Sequence, residues 1–392
     1  MNVLVTDGEQ RAALAIVRSL GAAGFTVWVT SPRKKSLAGA SRFAARTFVR
    51  PSPLLAPAAF AAEIGRLVRD HAIDAVIPTS EAALLALLPL RHELGTALIP
   101  CPDDAVVCRV CDKQEVLQAA ATIGLAVPRQ TVITSRADIA DLRYEHLSYP
   151  LVIKPSRSVG QAKGARSKAS VSYALDADGL PRQLRELPDS AYPVLLQQQV
   201  VGPGVGIFVL LWDGKLLACF GHRRLREKPP AGGVSVYRES VAVDPELLDL
   251  SVRLLEQFRW CGVAMVEFKI DTATDTPYLM EVNPRFWGSL QLAIDAGVDF
   301  PVLLMRAAAG EQVEPVLSYT LGIRSRWWFG DVDHLLAVLR RQGADVLERT
   351  YPSRIRAIRD FLRVRTEDLN EVFRRSDPWP AVREAIDWVA RR

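Results

Sequence analysis

Apolar and polar positions along the first hundred residues switch between two periods. Residues 2–6, 26–30 and 74–78 are apolar runs of strand length. Between them the spacing is helical, up to Leu20 with an end near Gly21 and again over residues 57–70. Strand and helix taken in turn predict a doubly wound parallel sheet. Asp7-Gly8 follows the first strand, but the G-x-G-x-x-G fingerprint is missing, so no NAD site is predicted. Thr79, Ser80 and Glu81 follow the strand at 74–78. They either face a substrate or serve the next helix, which Ser80 is suited to cap.

The middle of the chain reads as β-structure that carries chemistry. Residues 205–211 and 216–220 flank Trp212-Asp213-Gly214-Lys215, a hairpin with glycine in its turn. A loop is predicted over residues 221–233; it holds His222, Arg223, Arg224, Arg226 and Lys228, then two prolines and two glycines. That composition fits either closure over an anion or an ordinary charged surface. Residues 263–270 and 277–282 form a second strand pair around a turn-rich 271–276. Period two sets Met265, Glu267 and Lys269 on one face, and Glu281 with Asn283 on one face of the partner strand. Two carboxylates, an amide and the Arg285 guanidinium are what divalent cations and nucleotide phosphates require. The competing reading is a solvated edge hairpin, which the apolar flanks disfavour. Further on, residues 331–341, 353–365 and 380–389 show helical spacing with arginine-rich opposite faces. They predict a helical layer against the core, partly burying Trp327, Trp328, Trp379 and Trp388, with the arginines solvated or, as the rarer alternative, on a membrane surface.

The string Met280-Glu281-Val282-Asn283-Pro284-Arg285-Phe286-Trp287-Gly288-Ser289, with Glu267 fourteen residues before Glu281 and Ala296-Gly297-Val298-Asp299-Phe300-Pro301 beyond, resembles the ATP-grasp superfamily of carboxylate–amine ligases. The resemblance extends over most of the chain. It implies an α/β and α+β protein: an N-terminal doubly wound parallel-sheet domain at 1–110, a two-lobed ATP-grasp domain at 111–312, and a helical C-terminal tail at 313–392. The lid would span about 127–200 and the metal and substrate lobe about 201–312.

By the same resemblance Glu267, Glu281 and Asn283 hold two Mg²⁺ ions (or Mn²⁺), and Arg285 grips the triphosphate of ATP. Lys154, ending Tyr149-Pro150-Leu151-Val152-Ile153-Lys154, resembles the family's phosphate lysine. Ser156 to Ala165 resembles its mobile loop, where Gly160 and Gly164 let backbone amides approach phosphate. Val194 to Gly202 resembles the hinge, with Gln197, the Gln198 carbonyl and the Val200 amide against adenine. Relatives often carry Glu there; this chain has three glutamines, so a carboxylate contact to ribose must come from elsewhere. Lys113, opening a helix that ends at Gly124, resembles the first nucleotide lysine; without the family it reads as a solvated first-turn residue. Arg224 and Arg226 are candidate contacts for a carboxylate or the γ-phosphate, with His222 beside them.

The activity implied is phosphorylation of a carboxylate to an acyl phosphate, coupling to an amine, and release of ADP and phosphate. Alternatives are a bicarbonate-phosphorylating enzyme of the biotin carboxylase or carbamoyl-phosphate synthetase kind, and a non-catalytic nucleotide-binding regulator. Small-molecule substrates are the expected partners, with a homodimer by analogy to relatives.

Composition adds boundaries. A length of 392 residues suggests two to three domains, and 49% hydrophobic residues suffice for sizeable cores. The net charge of +5 and the short Arg33-Lys34-Lys35 cluster do not predict a nucleic-acid surface. No apolar run approaches the ~18 residues of a membrane helix, and a cytoplasmic protein is expected. Five cysteines argue against a disulfide framework. Cys108 and Cys111 with Cys101 make half a zinc site, but no second pair follows, so reduced thiols are predicted.

Overall fold

A computed structural model describes residues 1–162, 165–168, 171–341 and 351–392. The N-terminal unit holds β1 (Asn2–Val5), α1 (Arg11–Ala22), β2 (Thr26–Ser31), β3 (Ala44–Val49), α2 (Pro57–Asp70), β4 (Ala75–Ile77), α3 (Glu81–Leu87) and α4 (Asp104–Val110). Its sheet has the order β3-β2-β1-β4 with all pairs parallel. Alternation explains the two-sided cover: Leu4, Trp28 and Val76 pack with Phe60 and Ile64 of α2, while Val3, Val5, Val27 and Val29 pack with Leu14 and Ile16 of α1. β3, whose residues are largely exposed, escapes detection by apolar period.

Next come α5 (Lys113–Thr122), β5 (Gln130–Ile133), β6 (Leu151–Pro155), β7 (Val159–Ala162), β8 (Ala165–Lys168), β9 (Ser172–Ala174), α6 (Leu180–Glu186) and β10 (Val194–Gln198). Among the described residues they form an antiparallel sheet β5-β10-β6-β9 with its own small core, and a β7-β8 ribbon. The ribbon is fastened to the N-terminal unit: Arg166 donates to the Ala82 and Leu85 carbonyls at 2.9 and 3.0 Å.

The remaining elements are β11 (Gly204–Trp212), β12 (Lys215–Lys228), β13 (Val234–Ser240), α7 (Pro245–Gln257), β14 (Gly262–Ile270), β15 (Pro277–Asn283), α8 (Leu290–Asp295), α9 (Phe300–Ala308), β16 (Arg324–Arg326), α10 (Trp328–Arg340), α11 (Arg354–Leu362), β17 (Leu369–Asn370) and α12 (Trp379–Val389). The large sheet runs β15-β14-β11-β12-β13-β16-β17 among the described residues. Asp213 and Gly214, both at positive φ (47° and 73°), make the two-residue β11–β12 turn. One face of the sheet (Ile207, Val209, Val266, Phe268) packs on α7 with Leu254 and Leu255.

Two expectations need correction. Most of 221–233 is strand, since β12 continues to Lys228 and only the prolines at 229 and 230 end it. The helical C-terminal end is present as α10, α11 and α12, and in addition β16 and β17 extend the sheet while buried ion pairs fasten this region to the rest. Asp377 accepts from Arg18 Nε (2.8 Å), Ser41 Oγ (2.7 Å) and the Arg42 amide (2.9 Å). Asp331 accepts from Arg326 Nε at 2.6 Å. Trp327, Trp328 and Trp388 are half-buried, but Trp379 is 65% exposed, since α12 turns it outward with Val382 and Ile386. Among the described residues no helix is long and apolar enough to cross a membrane.

Glu384 of α12 accepts from Trp327 Nε1 at 2.7 Å, and burial pushes its carboxyl up to about 7 from the ordinary 4.5. The protonated form is therefore favoured by folding. The contribution of Glu384 to stability is greatest below pH 4.5 and declines as pH rises through about 7. Glu384→Gln keeps the acceptor and removes the ionisation. Chemical denaturation from pH 5 to 8 should show a flatter profile for the variant, with a gain on the order of 1–3 kcal/mol at the upper end.

Candidate functional site

Glu267 and Glu281 are direct cross-strand partners in β14 and β15, and Met265 lies opposite Asn283. The register then slips: Phe268 faces Leu279, so Met280 is the extra residue of a β-bulge. Lys154 Nζ, at the end of β6, donates to the Met280 carbonyl at 3.0 Å and lies 3.6 Å from Glu281 Oε2. Lys113 reaches the same oxygen at 3.7 Å and donates to Ser158 Oγ at 2.7 Å. Asn283 Nδ2 donates to Glu281 Oε1 (3.1 Å), and Arg285 Nη2 donates to Asn283 Oδ1 (3.2 Å). On the neighbouring carboxylate, Arg224 Nη2 lies 2.7 Å from Glu267 Oε2, and its other branch pairs with Glu227 at 2.9 Å.

These charges are not equivalent. Burial works to raise the Glu281 carboxyl, but Lys154 and Lys113, with Asn283 and Arg285, outweigh it and hold it at about 2. Burial raises the Glu267 carboxyl above its ordinary range, Arg224 opposing and Glu281 adding to the rise. Burial lowers Lys154, with Glu281 as its main support. Burial and the Arg224 and Arg238 cations keep His222 well below its ordinary value, so it is neutral at pH 7.

All of these groups except Phe268, Leu279 and the buried Arg238 wall one cavity of about 1130 Å³. Gln197 to Val200, after β10, line it as well. Gln197 Nε2 is spent on Gln130 Oε1 at 2.8 Å, while Gln197 Oε1 has no hydrogen-bond partner. Lys269 Nζ donates to the Val200 carbonyl at 3.4 Å. The floor under Glu267 comes from β11, where Gly204 and Gly206 stand opposite Lys269 and Glu267. A Cβ at Gly206 would come within 2.7 Å of the Phe208 ring and 3.1 Å of His222, so only glycine lets these two side chains pack against the strand.

Glu267, Glu281 and the Asn283 oxygen are hard donors of the kind Mg²⁺ takes, and they fit that ion jointly with phosphate oxygens. Among the described residues no three His, Cys, Asp or Glu groups cluster as an all-protein metal cage. The five cysteines are free thiols.

Several expected residues lie elsewhere. Arg226 is a correction: Leu225 and Val236 are bulged between β12 and β13, so Arg226 does not follow Arg224 into the cavity. It grips Asp331 with Nε and Nη2 at 2.7 and 2.6 Å and lies over Tyr237. Gly160 is a second: it belongs to β7, and its missing Cβ faces the Ser190 carbonyl at 2.6 Å, away from the cavity. Gly164 lies outside the described residues. Ser80 caps α3 by accepting from the Ala83 amide at 3.1 Å, and Thr79 donates to the Thr6 carbonyl. Residues that sequence reading passed over are Arg11, Gly204, Gly206, Trp287 and Ser289. The alternation Gly204-Val205-Gly206 was the available signal.

The fold is similar to that of ATP-grasp proteins, and the comparisons with known proteins point the same way. Residues 190–329 match the family model described as ATP-grasp in the biosynthetic pathway with Ter operon. The chain is 22% identical over 347 residues to the carbamoyl phosphate synthase large chain of Rubrobacter xylanophilus, covering 83% of this chain but 31% of that one. Its fold matches the L-amino acid ligase from Bacillus licheniformis with TM-score 0.61 at 19% identity, over 80% and 75% of the two chains. It also matches the biotin carboxylase domain of Hydrogenobacter thermophilus 2-oxoglutarate carboxylase, in complex with MgADP, ADP and bicarbonate, with TM-score 0.65 at 16% identity, over 82% and 73%.

Glu281→Gln should destabilise the nucleotide-free protein by about 2 kcal/mol or more, because two buried lysines lose their shared counter-charge. The sign follows from its depressed carboxyl: its contribution is present above the ordinary 4.5 and lost as pH falls toward about 2. Denaturation of wild type and variant should therefore differ at pH 7 and converge only as pH falls from 4.5 to about 2.

Proposed function

We propose that the chain is an ATP-dependent ligase that phosphorylates a small carboxylate and couples the acyl phosphate to an amine. The observation that carries this reading is the Lys113–Glu281–Lys154 bridge beside Glu267, all in one cavity with the β10 hinge. In this reading Gln197, Gln198 and Val200 receive adenine. Lys113, Lys154 and Arg285 hold phosphate oxygens. Glu267, Glu281 and Asn283 would hold divalent cations, whose chemistry is to neutralise charge on the transferring phosphoryl group.

The substrate carboxylate oxygen attacks the γ-phosphorus as the bond to the bridging oxygen of ADP breaks. The amine nitrogen then attacks the acyl carbon, and inorganic phosphate leaves. No side-chain nucleophile is required: alignment in a closed cavity supplies the rate. Arg224 is placed to meet the incoming carboxylate, since it already binds the carboxylates of Glu267 and Glu227.

Release of ADP from Mg·ATP across carboxylates, with and without amines, tests this, and bicarbonate as the sole carboxylate forms a separate arm. Release that needs both a carboxylate and an amine is expected. Release with bicarbonate alone would replace the reading with a carboxylase-like one, and Mg·ATP binding without any release would replace it with a regulator. Glu267→Gln is the informative control. Because Arg224 keeps Glu227 as a partner, the amide should cost about 1–3 kcal/mol in stability and leave the protein folded, while turnover drops roughly 100-fold or more.

A further inference from the structure

The apolar spacing over residues 353–365 predicts a helix with its apolar side against the core, and the structure turns that side outward. α11 is anchored by a different face. Ala357 is buried, and the Phe361 ring stands edge-on to Trp328 with the Arg326 guanidinium 4.7 Å over it. Arg226 Nη1 and Arg326 Nη2 donate to the Asp360 and Phe361 carbonyls at 3.3 and 2.7 Å, so the open carbonyls of the last turn are tied to the large sheet. Ile355, Ile358 and Leu362 take no part in this. They are 82%, 41% and 69% exposed, and Val364 just past the helix is exposed as well.

Positions 355, 358 and 362 make one stripe, at i, i+3 and i+7. Arg356, Arg359 and Arg363 repeat that spacing one residue on, about 100° around the helix, so a guanidinium stripe runs beside the apolar one. Arg354 borders the other side, and Arg365 follows the helix. Residues 354–365 thus hold five arginines and one acid, Asp360, a net +4 beside the whole chain's +5. Asp360 lies 3.5 Å from Arg356 and 3.6 Å from Arg359 and leaves the excess in place. An outward apolar stripe that the fold does not use, rimmed by one sign of charge, marks a contact surface.

Charge and shape choose among its occupants. A second copy of the face would set five arginines against five, so like charge opposes self-pairing. A peptide helix is received by a groove, whereas these residues lie on the outer side of a single helix. Independently of the ligase reading, we infer that α11 is an interfacial helix that seats the protein on an anionic bilayer surface. Ile355, Ile358 and Leu362 enter the boundary between headgroups and acyl chains, and the neighbouring arginines fork onto lipid phosphates at that level. The net +4 makes the contact selective for bilayers of negative charge.

Sedimentation of the full chain with lipid vesicles tests this, using phosphatidylcholine alone and an equimolar mixture with phosphatidylglycerol. The mixed vesicles should bind roughly tenfold more tightly or better, and binding should weaken as NaCl rises from about 0.05 to 0.5 M. Ile355→Ser with Leu362→Ser should cost roughly tenfold in affinity. Arg359→Gln with Arg363→Gln should cost a similar factor, most of which Arg359→Lys with Arg363→Lys restores. All four side chains are exposed, so thermal unfolding of the variants should match the wild type, which separates a lost contact from a lost fold. Equal affinity for the two kinds of vesicle, binding to neither, or binding indifferent to the two serines would overturn the inference. Analytical ultracentrifugation reads the competing occupant: a monomer is expected, and a dimer abolished by the two serines would give the face to a second copy and overturn the bilayer contact.

Discussion

Glu281 sits between two lysines as their shared ion-pair partner, and the rest of the site depends on that bridge. Lys113 and Lys154 come from different parts of the chain, the start of α5 and the end of β6, and both converge on one carboxylate oxygen. Burying two ammonium groups without a counter-ion would cost several kcal/mol each, so the carboxylate makes the closed arrangement of the β5–β10 sheet over β15 tolerable. Arg224 does the same for Glu267 from the other side. In this state Lys113, Lys154 and Arg224 are each matched by a carboxylate. On the proposed reading an incoming metal–triphosphate would replace these partners at once, so charge would be exchanged and not left uncompensated.

The fold supplies this exchange with precision through two local irregularities. The Met280 bulge turns a carbonyl toward Lys154 while leaving Glu281 and Asn283 on the cavity face. Gly204 and Gly206 strip the facing strand of side chains, so Arg224 and His222 can lie close against it beside Glu267. Arg11 and the buried pairs at Glu371 and Asp377 then fasten the N-terminal and C-terminal segments around the same cavity.

Much of this is legible in the sequence where period and chemistry coincide. Period two alone sets Glu267 and Glu281 on a shared face, and an apolar strand ending in Lys154 announces a buried cation. The parallel sheet follows from three apolar runs separated by helical spacing. Legibility fails where the backbone departs from its period: the bulges at Leu225 and Val236 send Arg226 to Asp331, although its spacing from Arg224 reads as a shared face. It fails again where long-range charge decides, since nothing near Arg11 or Glu371 in sequence foretells that residues 360 positions apart share a proton donor and acceptor. Short polar strands such as β3, β16 and β17 owe their existence to neighbours, not to their own pattern.

The most direct measurement is ADP affinity with and without Mg²⁺, made on the wild-type chain and on Glu281→Gln. If Glu281 holds the lysines until a cation takes it over, Mg²⁺ should tighten ADP binding roughly tenfold or more in the wild type. In the variant, whose lysines have no anion to release, metal-free ADP should bind more tightly than in the wild type and gain little from Mg²⁺. Affinity that is indifferent to Mg²⁺ in the wild type, or weaker metal-free binding in the variant, would contradict the exchange of charge at Glu281.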